Sequence, residues 1–493
     1  MAHIDQVQPP LKFIPPEFNP WVLRSMKFLS PYWLERQSAI KEIQVQHPER
    51  LVEQFAQFYQ GKTRLLIAFR HPSVDDPLVL LQLFSRLLPK FAQQQHVSLP
   101  KLIHCHFLYD RGIPLWAGPW IGWLFSQLGG VPIQRGKLDL VALKTARKLL
   151  VEGKFPFAAA PEGATNGHSE IVSPIEPGVA QLGFWAMEDI ENLKQEDIII
   201  LPLGLRYQYV TPPWAAIDQL LTELETNAGM APLKLESASA VVPEINTNQT
   251  LAHLKPHEKL RYARLYRLGQ NCVEILEDYY ARFYQKTFKP NKASLSEPES
   301  PNEPNLKLTL SNSQDENALF RDRLQALLDT VLNVAEEFFS ITPKGGVIDR
   351  CRRLEQAGWS RIYRDDLGEL QTLSPLEKGL ANRIAEEASL RLWHMRLVEN
   401  VVAVTGQYVR QKPTVERFAE TSLLMWELMA RIKSGDSGQP PRLGVRQVTI
   451  KVGEPIPVSA YWTQYKQSRR EAKRAVETLT AELQQVFENL ITD

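Results

Sequence analysis

His71 and Asp76 are the residues around which chemistry can be built. They stand five apart in Phe69-Arg70-His71-Pro72-Ser73-Val74-Asp75-Asp76-Pro77, directly after the apolar run RLLIAF (64 to 69) and before the helical pattern LVLLQLFSRLL. A histidine and a carboxylate so spaced can meet across one turn. A carboxylate that accepts one ring N–H fixes the imidazole tautomer and supports the cation that forms, leaving the other nitrogen to take a proton from a hydroxyl. That is the logic of a general base working without a protein nucleophile. The spacing is not specific by itself: ten histidines, with Asp at roughly one residue in twenty, give about half a chance occurrence in such a chain. Asp76-Pro77 also reads as a helix N-cap followed by proline at the first helical position. On these residues alone both readings stay open.

Further along come three pieces with chemical content. Gly129-Gly130-Val131-Pro132-Ile133-Gln134-Arg135-Gly136 holds a glycine turn, an apolar strand and a cation. Ala160-Pro161-Glu162-Gly163-Ala164-Thr165-Asn166-Gly167 closes the apolar run FPFAAA, and Pro202 interrupts the strand expected at Ile198 to Gly204. Each has a plain structural reading: Arg135 as a surface charge, Pro-Glu-Gly as a turn, Pro202 as an edge or bulge.

The elements that must position these residues alternate. Strand-type runs at 64 to 69, 102 to 108, 155 to 160 and 198 to 204 are separated by helical stretches such as DLVALKTARKLLVEG, a pattern that predicts an α/β fold. After Thr211-Pro212-Pro213 long helical patterns take over. Residues 293 to 316, rich in Ser, Pro, Asn and Glu, read as a flexible linker between two helical blocks, 213 to 292 and 317 to 442. A strand-like VRQVTIKVGEPI and a charged helix return in 443 to 493, so a core at 51 to 212 is expected to close only at the C-terminus. The expected architecture is a mixed central sheet flanked by helices, carrying a large, mainly α-helical insertion. Residues 1 to 50 are read as an N-terminal amphipathic segment: Trp21, Met26, Phe28, Tyr32 and Trp33 mix there with Arg24, Lys27 and Arg36. That composition suits a membrane interface or a cover over the following core, and both stay open.

With 493 residues the chain is too long for one ordinary core. Its 57 Lys plus Arg against 56 Asp plus Glu leave no net field to attract nucleic acid. Cys105, Cys272 and Cys351 are odd in number and lack any CxxC or Cys/His pattern, which argues against a disulfide framework or a zinc site and for an intracellular setting. The N-terminus has no basic region followed by an apolar one, and no run of about 18 apolar residues appears, so any membrane contact is expected to be peripheral, on a cytoplasmic face.

Taken together and in this order, the pieces resemble the four blocks of the lysophosphatidate (glycerolipid) acyltransferase family: HxxxxD, Gly-x5-Arg, Pro-Glu-Gly and a strand proline. The stretches IPLWAGPWIGWLFSQLGGVPIQR, SPIEPGVAQLGFWA and VTIKVGEPI are similar to family segments as well. The resemblance covers roughly 50 to 212 and 443 to 493. It implies that His71 deprotonates an acceptor hydroxyl that attacks an acyl thioester directly, and that Asp76 orients and supports His71. It places Ser73 near the base and Arg135, Glu162, Gly163 and Pro202 at the acceptor site, with Arg135 suited to a phosphate. It implies backbone donors for the oxyanion near the histidine and Pro-Glu-Gly turns. No metal or cofactor is expected; acyl-CoA or acyl-carrier protein is the co-substrate and a lysophospholipid the acceptor.

Two departures bear on the acceptor. Ala164-Thr165 stands where family members commonly have Thr-Arg, and Arg70 where Asn is common. Lysophosphatidate is the default acceptor; glycerol-3-phosphate or another lipid alcohol is the alternative, and a catalytically inactive lipid-binding scaffold is a reading from a different class. The spacing from His71 to Glu162 is long for the family, through LPKFAQQQHVSLPK. Trp116, Trp120 and Trp123 would share one face of a single helix, as at a membrane interface, or else pack into the core. His104, His106, His168 and His394 have no partner pattern and read as structural.

Overall fold

The structure, a computed structural model, describes residues 4, 6–134, 139–191, 197–235, 238, 242, 245, 248–288, 316–368, 370, 372–401, 406–435 and 438–492. The chain divides into two compact units, the first containing Pro9–Pro213 and Arg442–Asp493 and the second His3–Gln8 and Trp214–Pro441.

The first unit is a mixed α/β sheet, mostly parallel, with helices on both faces. Its strands are β1 (Ile40–Gln46), β2 (Thr63–Phe69), β3 (His106–Asp110), β4 (Gly130–Ile133), β5 (Phe157–Ala159), β6 (Asp197–Tyr209), β7 (Arg446–Val452) and β8 (Ile456–Pro457). The order is β1-β7-β6-β2-β5-β3-β4, with β8 on β6. Pairs β2–β5, β2–β6, β3–β5 and β3–β4 are parallel, while β6 runs antiparallel to β7 and β8. The central strands are continuous apolar runs because both faces are covered. On β2, Leu65, Ile67 and Phe69 join one core with Leu201 and Leu203, while Leu66 and Ala68 join the other with Ile198 and Ile200.

The helices sort by face. Helices α1 (Pro20–Gln37) and α2 (Pro48–Tyr59), and the run α3 (Asp76–Gln82), a π-helical turn (Leu83–Leu87) and α4 (Leu88–Gln94), send Leu34, Phe55, Val79 and Leu88 to the first core. Helices α7 (Leu140–Glu152), α8 (Gly178–Glu191) and Arg469–Thr492 send Ala146, Phe184 and Phe487 to the second. Each of the leucine, valine and phenylalanine side chains among these contributes about 1.5–3 kcal/mol.

Several expectations are revised. The N-terminal segment is not one piece: residues 4 and 6–8 lie in the second unit, where Val7 N–H donates to Asn382 Oδ1 at 3.0 Å, and residues 40–46 form edge strand β1 in parallel with β7. Pro202 does not interrupt its strand, since β6 runs unbroken over 13 residues. The stretch after β3 is two short helices, α5 (Ile113–Ala117) and α6 (Pro119–Gln127), separated at Gly118.

The second unit is helical, built mainly from Trp214–Asn227, Pro256–Tyr284, Glu316–Phe339, Val347–Ile362, Pro375–Val401 and Val415–Ser434. Buried ion pairs brace it: Arg264 to Glu225 at 2.7 Å and Arg350 to Glu336 at 2.8 Å. The linker expected at 293 to 316 lies outside the described residues apart from Glu316, which begins a helix.

Candidate active site

The chain leaves β2 at Phe69 and makes a short turn before α3. Inside it, His71 Nδ1 lies 2.8 Å from Asp76 Oδ2, with the histidine side chain 22% exposed and the carboxylate wholly buried. The same oxygen accepts Ser73 N–H at 2.9 Å, and the other accepts the hydroxyl of Tyr207. An ionised carboxylate out of water requires such donors. With Asp76 accepting at Nδ1, that nitrogen carries the proton and Nε2 presents its lone pair. Among the described residues Nε2 has no hydrogen-bond partner. The pair can therefore take a proton at Nε2.

A second layer holds the first. Tyr207 lies on β6; burial, then the charge of Asp76, push its phenol well above the ordinary 10, so it acts as a donor. The Arg446 guanidinium lies 5.0 Å from the Tyr207 ring and pairs with Asp75 Oδ2 at 2.7 Å. Asp75 Oδ1 accepts from Ser38 Oγ at 2.6 Å. Ser73 Oγ is turned toward Asp75 at 3.2 Å, so this serine is tied into the turn through both its backbone and its hydroxyl.

Glu162 and Gly163 follow β5, the neighbour of β2. Glu162 Oε1 accepts His71 N–H at 2.9 Å, while Oε2 accepts from Ser173 N at 3.0 Å and Asn166 Nδ2 at 3.1 Å. Its carboxylate is closed to solvent. The resemblance put Glu162 at the acceptor; in the structure both its oxygens are engaged by the protein, and it reaches the site through the His71 backbone. Gly163 turns the chain at φ 69, a left-handed geometry that glycine adopts without strain.

Arg70 is itself fully buried. Its Nη1 donates to Ser169 O at 2.6 Å, its Nη2 to His168 O at 2.9 Å and to Ile171 O, and its Nε lies 3.5 Å from Glu162. The departure from the family's Asn thus supplies a brace that holds the segment after Pro-Glu-Gly against the histidine turn.

Pro202 pairs with Ala68 of β2, and its carbonyl accepts Gly453 N–H at 2.9 Å. A strand residue's N–H and C=O point the same way, so its nitrogen faces the turn between β7 and β8, where no ladder donor is required. Arg135 and Gly136 lie outside the described residues. Their flanks are pinned together: Asp139 Oδ2 accepts Gln134 N–H at 3.0 Å and also bonds Arg111, and Oδ1 caps α7 through Ala142 N–H at 3.2 Å.

His104, His106, His168 and His394 are buried and bonded. Desolvation lowers His104 to about 4 and also lowers His106, and their rings bond Leu128 O at 2.7 Å and Gly129 O at 3.1 Å. They fix the turn into β4, where a Cβ at Gly129 would stand 2.6 Å from the His106 ring. His394, in the second unit, is lowered to about 3 and lies 2.6 Å from Tyr280 Oη. Among the described residues no three His, Cys, Asp or Glu side chains group as a metal site.

Residues 42–206 match the family model described as Acyltransferase, about a third of the chain. The chain is an acyltransferase. The match takes in most of β1 through most of β6 and every candidate residue from His71 to Pro202, and stops one residue before Tyr207. No curated protein and no solved structure matches the chain. Sequence reasoning missed Tyr207, Ser38 and Arg446, which strand pairing or helix packing brings to the turn without a local signal, and the role of Asp75, which stands in the turn beside Asp76.

Proposed function

We propose that this acyltransferase moves a fatty acyl group from acyl-CoA or acyl-carrier protein to the free hydroxyl of a lysophospholipid, converting lysophosphatidate to phosphatidate. The observation that carries the reading is the solvent-facing His71, held through Nδ1 by a wholly buried Asp76 at 2.8 Å. His71 Nε2 takes the acceptor's proton as its oxygen attacks the thioester carbonyl. The tetrahedral oxyanion then collapses, the C–S bond breaks, and the imidazolium returns the proton to the departing thiolate, with no acyl-enzyme. Asp76 remains ionised throughout and supports the imidazolium. Arg135 pairs the acceptor phosphate. Ala164-Thr165 supplies no second cation, which leaves another lysolipid or a lipid alcohol as an alternative acceptor, and the four blocks equally admit glycerol-3-phosphate.

A lipid acceptor calls for contact with a membrane. Among the described residues no helix is long and apolar enough to cross one. Helices α1 and α6 pack through Leu23 and Leu124 and turn aromatic side chains outward: Trp21 is 71%, Phe28 77%, Trp120 54% and Trp123 56% exposed. Arg24 and Arg36 lie over Trp21 and Tyr32. Such a basic, aromatic face suits peripheral attachment at a cytoplasmic leaflet. Trp120→Ser with Trp123→Ser is expected to reduce sedimentation with anionic liposomes; unchanged sedimentation refutes this surface.

The deciding experiment is transfer of radiolabelled acyl groups from both donors to lysolipids, glycerol-3-phosphate and lipid alcohols. His71→Ala should lose about 10³-fold of the rate. Equal product from wild type and variant, or no acylated acceptor from folded, lipid-bound protein, overturns the proposal.

A further inference from the structure

The helical unit contains an apolar cavity that acyl transfer at His71 does not explain. Helices Pro256–Tyr284, Glu316–Phe339, Pro375–Val401 and Val415–Ser434 form its walls, with Leu265, Val273, Leu327, Leu328, Val398 and Leu424 among the lining residues and no charged residue among those that line it. The free volume is about 110 Å³. Its lining positions on one helix run from Phe320 to Val331, about 16 Å at the helical rise. A bore of that length suits one extended hydrocarbon chain.

Two features distinguish this from loose packing. Gly269 contributes no side chain to the wall, and a Cβ there would stand 3.3 Å from the Phe320 ring. Thr421 Oγ1, on the wall, is out of solvent and has no hydrogen-bond partner among the described residues. A helical threonine ordinarily bonds the carbonyl four residues back, as the next residue, Ser422, does to Phe418 O at 2.7 Å. A buried hydroxyl left open costs about 1–3 kcal/mol. A ligand with a mainly hydrocarbon body and one polar acceptor, such as an ester or carboxyl oxygen, would satisfy it.

We propose that the second unit binds one fatty acyl chain in this bore, with its carboxyl or ester oxygen at Thr421 and its hydrocarbon along Leu327, Leu328 and Leu424. Occupancy by an acyl chain, rather than by another apolar molecule, rests on the acyl-transfer reading. An uncharged lining excludes a phosphorylated headgroup and an ionised carboxylate alike, so the oxygen at Thr421 is that of an ester or of a protonated carboxyl. The site is thus suited to storing or sensing an acyl chain apart from the turnover site.

The test uses the whole chain and a palmitate analogue bearing a photoreactive diazirine on its hydrocarbon, with adducts located by mass spectrometry after digestion. Saturable adducts are expected on peptides from 256–284, 316–339 or 415–434, displaced by unlabelled palmitate. Val273→Phe, which fills the bore, should reduce them at least tenfold; Leu328→Phe serves if that variant does not fold. Thr421→Val should weaken half-saturation about fivefold without moving the adducts. Adducts confined to 9–213 and 442–493, labelling unaffected by a folded bore-filling variant, or equal labelling by a diazirine-bearing steroid overturns the proposal. Labelling needs no turnover, so His71→Ala must behave as wild type here. Adducts without acyl transfer would sink the acyl-transfer reading alone, and acyl transfer without these adducts would sink only this site.

Discussion

Replacing Tyr207 with Phe removes one hydroxyl from behind the candidate base and should leave the fold intact. Asp76 is buried and accepts from three donors, His71, Ser73 and Tyr207, and among the described residues Oδ1 has only the tyrosine. A hydrogen bond to a buried ion is worth about 1.5–3 kcal/mol. Some of that appears as lost stability, about 1–2 kcal/mol in urea unfolding. The remainder appears in turnover: a carboxylate with one donor fewer is held less firmly against the ring it orients. Because His71 and Asp76 remain, kcat/KM should fall by less than about tenfold, which corresponds to about 1.4 kcal/mol. The assay is kcat/KM of acyl transfer for both proteins at pH 7, beside urea unfolding at the same pH. An unchanged kcat/KM refutes the coupling even if stability falls, since Tyr207 would then act by packing alone.

Three further outcomes follow from the same structure. Arg70→Met strands the Glu162 charge and the carbonyls of His168, Ser169 and Ile171, and should cost about 3–5 kcal/mol in urea unfolding, part of it recovered by adding Glu162→Gln. His104, held down to about 4 against 6.5 when unfolded, leaves the unfolded chain binding the extra proton below pH 6.5, so its contribution is present above that pH and lost toward 4. From this residue alone stability should fall by about 2 kcal/mol between pH 7 and pH 5, a slope that His104→Gln flattens in urea titrations. Joining Pro9–Pro213 to Arg442–Asp493 through a short Gly-Ser turn should give a folded protein, because β6 and β7 already pair from Leu203↔Val452 to Tyr209↔Arg446 and Val210 N–H reaches Val445 O at 3.0 Å; a spliced chain with no cooperative melt would refute this.

What was legible in the sequence depended on how each element is buried. β2 and the first part of β6 are covered on both faces and read as unbroken apolar runs. β1, IKEIQVQ, is an edge strand with polar residues at alternate positions, and nothing local separates it from a solvated stretch. β6 was expected over 198 to 204; the strand runs on to Tyr209 through Arg206 and Gln208, whose polar side chains break the apolar run, and this continuation carries Tyr207. His71 and Asp76 could be joined on paper because five residues separate them. Tyr207 is 131 residues from Asp76, and Arg446 is 371 from Asp75, so only the sheet order unites them. Arg70 looked like a departure because the loop that makes use of it, 168 to 171, folds back from nearly a hundred residues away.

The sheet order also accounts for the place of the site. From β2 the chain crosses toward β3 by way of α3 and α4 on one face, and from the adjacent β5 it crosses back to β6 by way of α8 on the other. Right-handed crossovers in opposite directions must take opposite faces. The carboxyl ends of β2 and β5 therefore part and leave a crevice, the position where open α/β sheets bind ligands. His71 issues from one lip and Glu162 from the other. The carboxylate from across the crevice fixes the histidine's backbone, while Asp76, on its own lip, fixes the ring. Two buried carboxylates thus constrain one histidine, Glu162 at its backbone and Asp76 at its ring, and each is satisfied by its own set of donors. Such a histidine needs little reorganisation when it takes a proton, and electrostatic preorganisation works in this way.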